Sequence, residues 1–210
     1  MNGIFVNPDL EGNYFAKIKN AETQINLEAI AEDELAKTSI NGIANDKNTA
    51  IFTENLVDGQ TVYEYIISVM AEDGTVQEYN LQVEQLEGNT NIDSVLVGKE
   101  EDNLQEVTLN DDGIYYKKID RLEDVYVSVN LQSEKSIVII NGVEGTKRNI
   151  ILNQEINTIP IEVIAEDGTT KEYTVVLEKK SNDLSIKSIS GLEVLSVEIE
   201  ENFANVYVDE

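Results

Sequence analysis

The sequence predicts an all-β chain built from tandem sandwiches, and three observations carry that expectation. Apolar and polar residues alternate with period two in segment after segment, while helical spacing is absent. Asp-Gly and Asn-Gly pairs, which close tight hairpins, stand between the alternating segments. The chain also repeats itself with a period near 95 residues, close to the size of one small β domain.

The repeat is read from four matches. Ala71-Glu72-Asp73-Gly74-Thr75, followed by Glu78-Tyr79, returns 94 residues later as Ala165-Glu166-Asp167-Gly168-Thr169, followed by Glu172-Tyr173. Gly12 to Ile18 matches Gly113 to Ile119 at an offset of 101, and Asn41-Gly42 matches Asn141-Gly142 at 100. The falling offset places about six extra residues in the first copy, around Asn55 to Gln60. Ile92-Asp93-Ser94-Val95 returns as Ile186-Lys187-Ser188-Ile189. Residues 1–86 therefore form a first repeat whose opening strand is short or missing, 87–181 a second, and 182–210 part of a third, with linkers near Leu86 to Asn91 and Lys180 to Asp183.

In the second copy the elements follow in order. Ile92–Val97 opens, and Ile114–Ile119 is the second strand. Asp124 to Leu131 puts Val125, Val127, Val129 and Leu131 on one face and Tyr126, Ser128 and Asn130 on the other, a half-buried strand. Ser136–Ile140 and Arg148–Leu152 are shorter. Asn157–Ala165 alternates through Ile159, Ile161 and Val163, and Lys171–Glu178 through Tyr173, Val175 and Leu177. The first copy shows Tyr65, Ile67 and Val69, then Tyr79, Leu81 and Val83, in the places of these last two. About seven short strands per repeat is the count of an immunoglobulin-like sandwich. Pro160, inside a strand pattern, marks its strand as lying near an edge or a bulge.

Composition narrows function by exclusion. Asp and Glu total 41 against 15 Lys and Arg, a formal charge of −26, and His, Cys and Trp are all absent. No Ser-His-Asp or Cys-His nucleophile, no imidazole or thiolate zinc site and no disulfide can be built. So acidic a surface repels phosphate backbones and anionic headgroups, so neither nucleic acid nor a membrane surface is expected as a partner, and membrane insertion is not expected either. A partner is expected to be neutral, cationic or a metal ion. No run of about 18 apolar residues is present, and Met1 to Leu10 lacks the regions of a signal peptide, although export signals are removed from mature chains.

The run Asn157-Thr158-Ile159-Pro160-Ile161-Glu162-Val163-Ile164-Ala165-Glu166-Asp167-Gly168-Thr169, continued by Tyr173 and Val175, resembles the closing hairpin of the cadherin-like β-sandwich repeats of bacterial surface proteins. Ile92–Val97 resembles that family's opening strand. The first copy keeps the alternation but has Gln60-Thr61 where the second has Asn157-Thr158. The resemblance implies an extracellular, multi-domain protein of a Gram-positive-type bacterium, in which such modules serve as spacers, adhesive units or accessory domains.

Two readings of Glu166-Asp167 remain open. Asp before Gly is what a hairpin tip requires. The alternative is a calcium site at a domain junction, with oxygen ligands from Asp120, Glu123 and Asp124 in the loop after the second strand and from Glu166 and Asp167 at the hairpin tip, beside the linker Glu84 to Asn91. That reading assumes that loop and tip share one pole of the sandwich. The first copy offers Glu22, Glu72 and Asp73 in its place, and no D-x-D-x-D-G loop occurs. No cofactor other than this calcium is expected.

The remaining clusters read as surface. Glu100-Glu101-Asp102 and Asn110-Asp111-Asp112-Gly113 are loop charges without the cleft that paired-carboxylate catalysis needs, so no enzymatic activity is expected. Glycan modules usually present aromatic platforms, and here Tyr63, Tyr115, Tyr116, Tyr126 and Phe52 are the candidates for exposure, with Tyr65, Tyr79 and Tyr173 expected inside. Lys17 and Lys118 recur at matching positions and read as surface lysines rather than crosslinking ones. The tail Leu184 to Glu210, with strand-like Ile186–Ile189 and Val194–Ile199, is expected either to be poorly ordered or to add as a strand to the edge of another copy, such as the first. The expected function is a non-catalytic structural or adhesive module of a bacterial surface or secreted protein, contacting neighbouring repeats of its own chain and a surface protein or glycan. The alternative is an accessory glycan- or calcium-binding module.

Overall fold

The computed structural model describes residues 6–10, 12–44, 47–111, 113–186, 194–200 and 203–208, the last two ranges as backbone only. All regular structure among them is β. The first repeat holds β1 (Tyr14–Ile18), β2 (Gln24–Ile30), β3 (Lys37–Ile40), β4 (Ile43–Ala44), β5 (Thr49–Asn55), β6 (Val62–Met70) and β7 (Val76–Gln85). The second holds β8 (Ile92–Gly98), β9 (Gln105–Glu106), β10 (Thr108–Leu109), β11 (Tyr115–Ile119), β12 (Asp124–Leu131), β13 (Ile137–Ile140), β14 (Val143–Glu144), β15 (Lys147–Ile151), β16 (Ile156–Ile164) and β17 (Thr170–Lys179). Last come β18 (Val194–Glu200) and β19 (Phe203–Val208), paired with each other.

Both repeats fold by one plan. One sheet runs β10-β11-β17-β16-β13-β14 in the second repeat and β1-β7-β6-β3-β4 in the first. The facing sheet is β15-β12-β8-β9 in the second repeat but only β2-β5 in the first. In each, the strand after the opening segment lies parallel to the last one: β1 to β7 and β11 to β17, with Ile18 opposite Gln85 and Ile119 opposite Lys179. Alternation does the folding work, because every second residue of a strand faces the other sheet and only those must be apolar. Val125, Val127 and Val129 of β12 are fully buried against Ile159, Ile161 and Val163 of β16 and Val175 and Leu177 of β17. The core of the first repeat is smaller, with Ile25, Ile40, Ala50, Tyr63, Tyr65, Leu81 and Val83 buried and Leu27, Ala29 and Phe52 only partly covered.

The turns are those that the dipeptides require. Asn41 and Gly42 have φ of 49° and 77°, and Asn141 and Gly142 have 50° and 78°, the positive pair of a two-residue hairpin. Gly74 and Gly168 are left-handed at 87° and 84°. Pro160 does not lie on an edge strand: β16 pairs with both β13 and β17. It is tolerated because β13 pairing stops at Ile161, so the proline nitrogen faces the Asn141 turn, whose N–H donates to Pro160 O at 2.8 Å. At the matching place in the first repeat, Ile66 N–H donates to Asn41 Oδ1 at 2.9 Å.

Three two-residue strands, β9, β10 and β14, extend the expected set in the second repeat. They are too short to leave an alternation pattern. In the tail, Val194–Ile199 has a partner within its own repeat, because β19 folds back on it, contrary to expectation. Most of the Ile186–Ile189 segment lies outside the described residues.

Candidate functional site

The residues singled out as calcium ligands fall into two groups at opposite ends of the second repeat. Because β11 runs parallel to β17, the loop that follows β11 lies beside the end of β17, whereas Glu166 and Asp167 precede its start. The ten residues of β17 separate the two by roughly 30 Å at the usual rise of about 3.3 Å per residue. The assumption of one shared pole is therefore wrong. At the far end Asp120 pairs with Lys180 (Oδ1 to Nζ 2.8 Å), whose charge holds its carboxyl below the ordinary aspartate range. Asp124 accepts a hydrogen bond from Asn149 Nδ2 at 2.7 Å, and Glu123 uses its carbonyl to accept from Leu152 N–H. Arg121 clamps Glu155 with both guanidinium nitrogens. Among the described residues no three carboxylates stand close enough together to hold a metal ion.

The near end is the junction between the repeats, and its acidic groups are occupied by protein donors. The turn Ala165 to Thr169 is closed by Ala165 N–H on Thr169 O (2.8 Å), and Asp167 Oδ1 accepts from Thr169 N–H (2.8 Å). That much repeats in the first copy, where Asp73 Oδ1 accepts from Thr75 N–H at 2.9 Å. The second oxygen makes the difference. Asp167 Oδ2 accepts from the backbone N–H of Asn20 in the first repeat at 3.2 Å, while Asp167 N–H donates to Glu87 O in the linker at 3.1 Å. Asp167 is consequently buried, whereas Asp73 is exposed.

Glu166 completes the latch from the neighbouring position. Its Oε2 accepts from Glu87 N–H at 3.1 Å and from Lys135 Nζ at 3.0 Å. Lys135 also reaches Glu87 Oε1 at 3.6 Å, and Ser133 Oγ donates to Glu87 Oε2 at 2.6 Å. The linker is then tied down residue by residue: Leu86 N–H donates to Ile18 O, Ser136 Oγ to Asn89 O, and Tyr173 OH to Thr90 O. Gln85 Nε2 spans Asn20 O and Glu22 O, both at 3.1 Å. The Glu87 N–H and then the Lys135 charge lower the Glu166 carboxyl, and the Thr169 and Asn20 N–H groups lower Asp167. Hydrogen bonds to the charged form favour that form, so both groups are held as anions.

Gly88 sits at the centre of this contact. A Cβ there would lie 2.9 Å from Asn20 Cβ, closer than real side chains approach, and a tight 3.1 Å from Asp167 Oδ2. Glycine is required by proximity rather than by backbone conformation. Sequence reasoning picked out Glu166 and Asp167 but missed Asn20, Glu87, Gly88, Ser133 and Lys135. A signal for them was available, since the linker Glu87-Gly88 becomes Ser181-Asn182 at the next repeat position.

Most of the aromatic candidates are engaged in packing or hydrogen bonds, while Tyr126 is half-buried. Tyr63 and Tyr115 are buried, contrary to expectation, and Tyr65 is buried as expected. Tyr63 OH accepts from Val57 N–H at 2.9 Å and lies within reach of Gln60 O, so it fastens the six-residue insertion. Asn157 does the same for the shorter loop of the second repeat, donating to Gln154 O at 2.7 Å. Tyr65 OH donates to Glu54 Oε2 at 2.7 Å, and burial followed by that carboxylate pushes its phenol pKa far up. Tyr79 and Tyr173 are half-buried, packed edge-on or tilted against Tyr14 and Tyr115. Tyr116 is bonded to Glu178. Lys17 and Lys118 lie exposed beside Glu84 (3.5 Å) and Glu178 (3.1 Å), as their surface reading expected. Among the described residues no helix is long and apolar enough to cross a membrane.

Solved structures with similarity include the fibronectin(III)-like modules of Clostridium thermocellum CbhA, at 11% identity and a TM-score of 0.36 over 89% of this chain and 100% of that one. The Protocadherin GammaB4 extracellular domain follows at 10% identity and TM-score 0.33, over 80% of this chain and 32% of that one. The human Desmocollin-1 ectodomain gives 11% and 0.28, over 96% and 45%. Comparison with curated proteins gives no match. Residues 5–86 match the family described as cadherin-like beta sandwich domain.

Proposed function

We propose that the chain is a non-catalytic structural repeat module of a bacterial cell-surface or secreted protein, in which consecutive β-sandwiches are fastened to one another as a spacer of fixed geometry. The observation that supports this reading is the junction itself. A spacer of fixed geometry must prevent hinge motion, and here Asp167 ties the hairpin tip of one repeat to Asn20 of the other while Glu166 and Lys135 hold the linker between them. A hydrogen bond to a charged acceptor is worth about 1.5–3 kcal/mol, and several in one contact suffice to favour a single arrangement. The acidic surface keeps such a rod from collapsing on itself. Tyr63, Tyr65, Tyr115 and Tyr173 are engaged in packing and loop fastening, which favours the structural reading over a glycan module that would need them at the surface. Small-angle scattering of the 210-residue chain tests it: a profile fitted by one conformation supports the spacer, and one that needs a broad ensemble of inter-repeat angles refutes it.

A further inference from the structure

Two hairpin turns of this chain match in sequence and backbone and differ at one hydrogen bond. Ile40-Asn41-Gly42-Ile43 joins β3 to β4, and Ile140-Asn141-Gly142-Val143 joins β13 to β14. Both asparagines are exposed and left-handed, with φ of 49° and 50°. Each donates its N–H at 2.8 Å to the carbonyl of the strand beside it, Ile66 O of β6 in the first repeat and Pro160 O of β16 in the second. The side chains part company there. Asn41 Oδ1 accepts from Ile66 N–H at 2.9 Å. Pro160 has no N–H to give, and among the described residues the Asn141 side-chain amide has no hydrogen-bond partner.

Asparagine followed by glycine carries its own reactivity, because the glycine nitrogen is not shielded by a Cβ. That nitrogen attacks the asparagine Cγ, a new N–Cγ bond forms, the bond from Cγ to the side-chain nitrogen breaks, and the amide leaves as ammonia with the proton of the glycine N–H. Water then opens the cyclic imide. Cleavage of the new N–Cγ bond leaves aspartate, and cleavage of the original peptide bond leaves isoaspartate, whose main chain runs through Cγ. Water enters, ammonia departs, and nothing is oxidised or reduced.

We propose that Asn141 is a site of spontaneous deamidation in the folded protein and that Asn41, in the matching turn, is protected from it. Ring closure needs Cγ to turn toward the next residue, whereas the Asn41 amide is tied to Ile66 on the neighbouring strand, and that bond has to break first. Asn141 is under no such restraint. It also borders an open cleft of about 290 Å³ shared with Ile151, Gln154 and Thr158, which leaves its amide room to turn. The damage falls on the second repeat. Isoaspartate adds a carbon to the main chain of a two-residue turn, so Ile139 opposite Glu144 and Ile140 opposite Val143 lose their register. Aspartate keeps the main chain but adds an anion to a hairpin that already carries Glu144. The inference stands independently of the spacer reading.

Peptide mapping by mass spectrometry, during incubation of the folded 210-residue protein at mildly alkaline pH, tests the proposal. Asn141 is expected to show the amide-to-acid mass change about 2–12-fold faster than Asn41, the factor that one neutral hydrogen bond supplies. In denaturant the two are expected to convert at equal rates, because their flanking residues are nearly the same. Pro160→Ile gives the second repeat the N–H that Ile66 gives the first, and is expected to slow Asn141 to the Asn41 rate in a protein whose melt shows both repeats folded. Should that variant fail to fold, the comparison within the unaltered protein decides alone. Equal rates at the two sites in the folded protein overturn the proposal, as does faster conversion at Asn41 or an Asn141 that stays intact while the unfolded chain converts. An Asn141 rate unmoved by Pro160→Ile in a folded variant overturns it as well.

Discussion

Substituting Gly88 by Ala isolates the junction. The backbone of Gly88 lies outside the left-handed region, so alanine adopts it without strain, and by restricting the unfolded chain it would stabilise by about 0.4–1 kcal/mol if nothing else changed. The added Cβ, however, meets Asn20 Cβ at 2.9 Å and Asp167 Oδ2 at 3.1 Å. Asn20 Cβ is the rigid base of its side chain, so relief requires backbone to move. A shift of several tenths of an ångström takes the 3.2 Å Asn20–Asp167 bond out of range, which removes about 1.5–3 kcal/mol. The two effects oppose one another, and the junction loss is the larger, leaving a net destabilisation of about 1–2 kcal/mol. It should appear in the first repeat, whose smaller core melts first. Calorimetry is expected to show the lower transition falling by roughly 4–15 °C, at about 4–8 °C per kcal/mol for a domain of this size, with the upper transition unmoved. A lower transition that stays put or rises would refute the claim that the repeats are coupled through this contact.

Acid should uncouple the repeats. Glu166 and Asp167 have folded pKa values lowered by N–H donors and Lys135, so their contribution is complete above the ordinary carboxylate range near pH 4 and is lost as pH falls through the lower folded values. The lower transition is expected to approach that of a Gly88→Ala protein below about pH 4, read by melts across a pH series. Melts in millimolar calcium and in EDTA are expected to differ no more than magnesium and EDTA do, because the five proposed ligands lie at two ends; a calcium-only rise of several degrees would show a site formed by other carboxylates. Tyr63→Phe strips the part-buried Val57 N–H of its acceptor and should cost about 0.5–1.5 kcal/mol by denaturant titration, with the loss confined to the first repeat. Val127→Ala should cost the second repeat about 2–3 kcal/mol, whereas Leu27→Ala should cost the first less despite removing more atoms, since Leu27 is only half-buried; equal losses would mean the β2 edge is covered.

The fold was legible because alternation and turn chemistry are local. Val125, Val127 and Val129 announce a buried face by spacing alone, and Asn141-Gly142 announces its hairpin because few residues accept positive φ. The site was half legible for the same reason. Asp167 Oδ1 caps its own turn, which a dipeptide reveals, but Oδ2 reaches a residue 147 positions away. No local pattern encodes that contact, and only the burial of Asp167 against the exposure of Asp73 tells the two equal turns apart. Asp120, Glu123 and Asp124 were misplaced because strand direction is a property of the whole sheet: the parallel pairing of β11 with β17 sends their loop to the far end. Tyr63 was misread as exposed because its hydroxyl reaches polar loop atoms across the insertion while its ring stays in the core.

The most direct test of a fixed junction is nitrogen-15 relaxation of the 210-residue chain in EDTA, which reports the tumbling of each repeat separately. A metal-independent latch through Asn20, Asp167, Glu166 and Lys135 predicts that amides of β6 and β7 and amides of β16 and β17 share one rotational diffusion tensor, unchanged when calcium is added. Two shorter and independent correlation times in EDTA, merging only when calcium is present, would contradict it.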